Sequence, residues 1–124
     1  MTIDYLAHHP GAIPQLAAWG YAEWRPVFDQ LGMTLEDVVA TFESRARIDG
    51  LPLALVAIEN GVVAGTGALK ESDLPLRSDL TPWLGGMLVD PAQRRRGIGT
   101  ALIARLIEEA RRLGLDRLYL WTPS

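Results

Sequence analysis

The run "RRRGIGT" (Arg94 to Thr100) stands between a β-prone segment, "WLGGMLVD", and the helical stripe of "ALIARLIEEARRL". No other stretch restricts the fold as tightly. Ile98, Leu102, Leu106, Ala110 and Leu113 recur at helical spacing, which predicts a helix from about Arg96 to Leu113 with Gly114 just past its end. "DRLYLWT" (Asp116 to Thr122) follows as a strand. Strand, helix and strand in this order make a β-α-β unit with parallel strands, and the glycines fall at its strand-to-helix turn. Ligands in α/β folds bind there, beyond the carboxyl end of the strand.

The rest of the chain adds a mixed sheet and two helices. "TIDYLA" (Thr2 to Ala7) alternates as a strand, ended by His8, His9, Pro10 and Gly11. Ile13, Leu16, Ala17, Trp24, Val27 and Phe28 predict one amphipathic helix from Ala12 to about Phe28, imperfect around Gly20. Thr34 with Asp37 three residues on predicts a capped helix start, Leu35, Val38, Val39, Phe42 and Ala46 its face, and Gly50 its sequel. Two β-prone runs flank Asn60-Gly61, the pair that tolerates positive φ at both central positions of a type I′ turn, so residues 52–71 predict a hairpin. Residues 71–82 hold two prolines and several charges and form a loop. Trp83 to Val89 is a further strand, in which Gly85-Gly86 marks a bulge or a close approach to the backbone. The fold class is α/β with a mixed sheet, in one domain covering residues 1–124.

Bulk properties narrow the setting. A chain of 124 residues with 48% apolar content supports one core. There is no cysteine, which excludes disulfides and thiolate metal sites, and no metal is expected. The N-terminus lacks the basic and apolar regions of a signal peptide, and the longest apolar run, in "LPLALVAIE", is too short to span a bilayer. The expectation is a cytoplasmic protein with no membrane partner. The net charge of −3 is unevenly spread: five basic residues face eleven acids up to Val89, and seven arginines face four acids from Asp90 onward. That is either chance in a short chain or a molecule with a polyanion site towards its C-terminal end.

A helix N-terminus presents unpartnered N–H groups and about half a positive charge, a ready phosphate site. Gly97 and Gly99 remove the β-carbons that would keep phosphate oxygens away, Arg94, Arg95 and Arg96 surround the point with positive potential, and Thr100 adds a hydroxyl. A Walker A loop is ruled out because no lysine follows either glycine, and the dinucleotide fingerprint fails because Leu102 stands where its third glycine belongs. Nucleic-acid binding would need a basic face with aromatic platforms, whereas the whole chain is acidic. Phosphate binding is the better account of the cluster.

"VDPAQRRRGIGTALI" resembles motif A of the GNAT superfamily of N-acetyltransferases, with Arg94, Gly97 and Gly99 at the positions of its Arg/Gln-x-x-Gly-x-Gly/Ala signature. The specific residues lie in about 83–122, while the order of elements is similar over nearly the whole chain. The resemblance implies acetyl-CoA as co-substrate. Backbone N–H groups from Arg95 through Ile98 to Thr100 would then hold its pyrophosphate. The backbone of Met87, Leu88 and Val89 would pair with the pantetheine arm like an added strand, and an N–H there could polarise the thioester carbonyl. It also implies a bulge near Gly85-Gly86, and direct attack of a neutral primary amine on the thioester. The alternative is a module that binds acyl-CoA but is catalytically incomplete.

The acceptor side is less specific, and the general base and acid remain unassigned. Glu71, Asp73 and Asp79 lie in or beside the loop before the motif strand and Glu23 on the first helix, each otherwise an ordinary surface acid. His8 and His9 read as turn residues; Trp19, Trp24 and Trp83 read as core before pocket. The acidic N-terminal part favours a cationic small-molecule or peptide amine as acceptor. Members of the superfamily continue past the equivalent of "LYLWT" with a helix and a hairpin, so the chain is expected to be a C-terminally shortened member. A terminal strand rich in Leu118, Tyr119, Leu120 and Trp121 would have an unpaired edge, which predicts a homodimer through residues 116–122.

Overall fold

The computed structural model describes residues 1–71 and 82–120. Five strands, β1 (Thr2–Tyr5), β2 (Leu53–Glu59), β3 (Val62–Lys70), β4 (Trp83–Val89) and β5 (Tyr119–Leu120), pair in that order. β1 to β4 are antiparallel neighbours, and β4 and β5 are parallel with Trp83 opposite Tyr119 and Leu84 opposite Leu120. Helices α1 (Ile13–Glu23), α2 (Arg25–Leu31) and α3 (Leu35–Ser44) precede β2, and α4 (Ile98–Arg112) joins β4 to β5. The expected mixed sheet and its β-α-β unit are both present.

Two hydrophobic clusters cover the two faces. Leu53, Leu55 and Ala57 of β2 pack with Ile98, Leu102, Leu106 and Ala110 of α4. The intervening Ala54 and Val56 pack with Leu16 and Ala17 of α1 and Val38 and Phe42 of α3. A strand buried on both faces explains why β2 reads as an unbroken apolar run. The hairpin turns where expected, with Asn60 at φ 52° and Gly61 at φ 78°. α3 starts on the expected capping box: Thr34 Oγ1 accepts from the Asp37 N–H at 3.3 Å, and Asp37 Oδ2 accepts from the Thr34 N–H at 2.8 Å.

Five boundaries differ from expectation, the first being that of α3, which ends at Ser44, short of Ala46 and Gly50. The predicted single helix from Ala12 to Phe28 is two helices broken at Trp24 (φ −112°, ψ 28°). Pro26 is the cause, since its ring clashes with the carbonyl four residues back and starts a new helix instead. β1 ends at Tyr5 rather than Ala7, and Leu6 turns inward to full burial. α4 begins at Ile98, two residues late, because Gly97 is left-handed at φ 77°. Of the predicted strand 116–122, Tyr119–Leu120 is strand and residues 116–118 are not, while Trp121 and Thr122 lie outside the described residues.

The expected bulge is present in β4. Thr66 lies opposite Leu88 and Ala68 opposite Gly85, so two residues of β4, Gly86 and Met87, answer one of β3. Gly86 takes φ 63°, a conformation that favours glycine. Leu84, Met87 and Val89 accordingly pack towards α4, and Leu88 towards α1 and α3.

Candidate active site

β4 is followed by Asp90, whose N–H donates to the Ala64 carbonyl at 2.8 Å and whose carboxylate accepts the Ala92 N–H at 3.1 Å. One 3-10 turn, Pro91–Gln93, follows, and the Arg96 guanidinium reaches back to Gln93 Oε1 at 3.2 Å. The chain then takes left-handed conformations at Arg95 (φ 67°) and Gly97 before α4 begins. Arg95 is not glycine, so this conformation costs about 1 kcal/mol. Strain of that kind at a turn between strand and helix marks a backbone held for a purpose.

The first α4 hydrogen bond runs from the Ala101 N–H to the Gly97 carbonyl at 3.0 Å, and no side chain caps the helix. The N–H groups of Ile98, Gly99 and Thr100 therefore have no acceptor within the helix. Arg94, Arg95, Arg96, Gly97 and Thr100 are exposed, Gly99 is half-buried, and Ile98 is buried as the anchor of the turn. A β-carbon at Gly97 would meet nothing within 4 Å, and one at Gly99 only Val89 Cγ2 at 4.0 Å. The chain thus leaves room over the two glycines, beside free donors and three guanidinium groups. That donor set suits a pyrophosphate. Ile98 and Leu88 point into the core, so they can serve a ligand through their backbone only.

On the opposite face, a cavity of about 590 Å³ lies between α2, α3 and the bulge. Trp24, Phe28, Met33, Val38 and Phe42 form its apolar wall, and Leu84 to Met87 its floor. Thr41, Arg45 and Lys70 supply the polar lining, with the Arg45 guanidinium 5.2 Å from the centre of the Phe42 ring. A β-carbon on Gly86 would lie 3.1 Å from Arg45 Nη1, so the bulge brings strand backbone and guanidinium together.

The acids considered from sequence that lie among the described residues do not line this cavity. Glu23 and Glu71 are exposed and outside its described lining, and Asp73 and Asp79 lie outside the described residues. His8 and His9 both clasp Asp4, at 3.0 and 2.9 Å, on the β1 edge of the sheet, with two strands between it and β4. Of the tryptophans, Trp24 lines the cavity, whereas Trp19 packs among the helices and Trp83 is buried with its ring 5.6 Å from Tyr119. Phe28, Met33, Phe42 and Arg45 were missed as site residues because helical periodicity marks them as core or surface, and only the fold gathers them. Among the described residues no group of three or more His, Asp or Glu side chains could hold a metal, and no helix is long and apolar enough to cross a membrane.

Solved structures share this architecture at low identity. An aminoglycoside 6′-N-acetyltransferase complexed with coenzyme A superposes with a TM-score of 0.73 at 18% identity, covering 97% of this chain and 61% of that one. A second aminoglycoside N-acetyltransferase in complex with CoA gives 0.71 at 19%, covering 98% and 76%. A predicted acetyltransferase with acetyl-CoA from Clostridium acetobutylicum gives 0.65 at 19%, covering 99% and 82%. No curated protein sequence matches. The profile of the acetyltransferase (GNAT) family matches residues 14–124, across α1 to β5 and the whole of the glycine turn. The strand, the bulge and the helix after the glycine turn therefore stand where the resemblance of "RRRGIGT" implies them, and the chain belongs to the acetyltransferase (GNAT) family.

Proposed function

We propose that the protein transfers an acetyl group from acetyl-CoA to a primary amine. The observation that carries this is the start of α4: free N–H groups, two glycines with open space above them and three exposed arginines, all at the carboxyl end of β4. Arg94 to Thr100 would hold the pyrophosphate, mainly through backbone. Met87, Leu88 and Val89 would present the edge of β4 to the pantetheine arm, since the described pairing with β5 covers only Trp83 and Leu84. The neutral amine nitrogen attacks the thioester carbon directly: a C–N bond forms, the C–S bond breaks, the nitrogen loses a proton and coenzyme A leaves as the thiol. No acyl-enzyme is involved. Solved neighbours with CoA or acetyl-CoA support the co-substrate.

Calorimetry with coenzyme A and thiol release across a panel of amines test the proposal. Binding with release supports it. Binding without release for any amine favours a module that holds acyl-CoA without turnover, and absence of binding removes the reading altogether. Pairing of a second copy along residues 116–122 is proposed on the unpartnered outer side of β5 within the described sheet. A stable monomer by light scattering at micromolar concentration would sink it.

A further inference from the structure

We infer that the acceptor amine is carried on an apolar, ring-sized body seated in the cavity between α2, α3 and the β4 bulge. This rests on the acetyl-transfer proposal, because Gly85, Gly86 and Met87 form both the cavity floor and the strand assigned to the donor. The cavity's volume, about 590 Å³, is that of a small-molecule site rather than a peptide groove. Three aromatic rings, Trp24, Phe28 and Phe42, with Met33 and Val38, give it faces that match a ring or a branched hydrocarbon. The apolar surface continues outward, since Val27 lines the cavity while half-exposed at 52%. An apolar body entering there leaves water behind on both surfaces.

Charge points the same way. The charged side chains among the described lining residues are Arg45 and Lys70, and none is a carboxylate. A polycation would need an acceptor for each ammonium group that leaves water, and the described wall has aromatic carbon in those places. The overall acidity of the N-terminal part, which favours a cationic acceptor, does not extend to the described residues of this wall. Aminoglycoside acetyltransferases share the fold at 18–19% identity, which leaves the acceptor class to the wall residues.

Titration of the protein with 2-phenylethylamine and with spermidine, each with and without coenzyme A, tests the inference, followed by thiol release with acetyl-CoA. The expected result is affinity for 2-phenylethylamine at least about tenfold above that for spermidine, with the same order in turnover. Met33→Glu, which places a carboxylate in the wall on a half-buried loop residue, is expected to narrow or reverse the ratio with little change in Tm. Spermidine binding as tightly as 2-phenylethylamine, or 2-phenylethylamine not binding at all, overturns the inference. So does an unchanged ratio in folded Met33→Glu, and so does faster turnover of hexanoyl-CoA than acetyl-CoA together with loss of 2-phenylethylamine binding, which would give the cavity to the acyl chain. If coenzyme A itself fails to bind, the acetyl-transfer proposal falls, and the amine titration without it still decides what the cavity holds.

Discussion

Gly97 and Gly99 look equivalent in sequence, yet the fold demands only one of them. Gly97 is left-handed, so a side chain is strained there whatever its surroundings. Gly99 lies in the first turn of α4, where alanine is preferred by about 0.5–1 kcal/mol and where a β-carbon would touch only Val89. Nothing within the described chain accounts for glycine at 99, whereas a phosphate lying against the backbone does. Gly99→Ala is therefore expected to raise the unfolding free energy by a few tenths to about 1 kcal/mol while weakening coenzyme A binding roughly tenfold. Thermal melts and calorimetry on one sample check both signs, and unaltered affinity counts against the cradle. A bulky residue such as valine at 97 is a poorer probe, because it distorts the turn as well as blocking it. Arg95→Gly separates backbone from guanidinium: relief of the left-handed strain should stabilise by about 1 kcal/mol. If the backbone carries the phosphate, coenzyme A affinity changes little; a loss beyond tenfold would assign the weight to the arginine side chain.

The stripe of α4 was legible because a period of 3.6 residues needs only local sequence, and the same holds for the Asn60-Gly61 hairpin and the Thr34 cap. Glu109 shows where local reading stops. It falls beside the stripe at a surface-like position, yet it is 4% exposed. Tyr5 of β1 donates its hydroxyl to the carboxylate at 2.6 Å, and Arg112 donates Nε–H at 3.0 Å. The Glu109 carboxylate in turn raises the affinity of the Arg112 guanidinium for its proton. Arg112 also reaches the Ile48 carbonyl, so one cluster ties α4 to β1 and to the segment before β2. None of these partners is near Glu109 in sequence except Arg112. Tyr5→Phe removes a hydrogen bond to a buried charged group and is expected to cost about 1.5–3 kcal/mol, read from urea denaturation. A cost below about 0.5 kcal/mol would mean that Arg112, with Arg105 Nε 3.7 Å from the carboxylate, satisfies it alone. The break at Pro26 was legible too, but the apolar stripe running through it on both sides masked a local rule.

At the scale of the molecule, the two faces of the sheet differ: α4 and its glycine turn lie on one, and α2 and α3 wall the cavity on the other. The cavity was the least legible feature, since its wall draws on α2, α3, β3, β4 and the residues between helices, which no common period links. Acid sensitivity is a property of the β1 edge. Partial burial pushes the Asp4 carboxyl up, but the Tyr5 N–H, His8 and His9 outweigh it and hold it below its ordinary value of 3.8. A lowered folded-state value means that Asp4 adds its full stability above about pH 3.8 and loses it as the pH falls through the lowered value. The stability gap between the wild type and Asp4→Asn, from urea titrations, should thus be open at pH 7 and close in that acid window; a gap independent of pH would remove Asp4 from the account. The bulge of β4 has a further consequence. A strand has a frame of two, and the extra residue at Gly86 shifts that frame once, between Leu84 and Leu88. Deleting Gly86 would return β4 to plain alternation: Met87 and Val89 would stay on the α4 side and Leu88 on the side of α1 and α3, and only the kink that turns the strand backbone towards Arg45 would go. The variant should therefore fold, read by circular dichroism and a thermal melt, while binding weakens at the point where the chain approaches its proposed substrates; failure to fold would mean that the kink itself holds the two cores together.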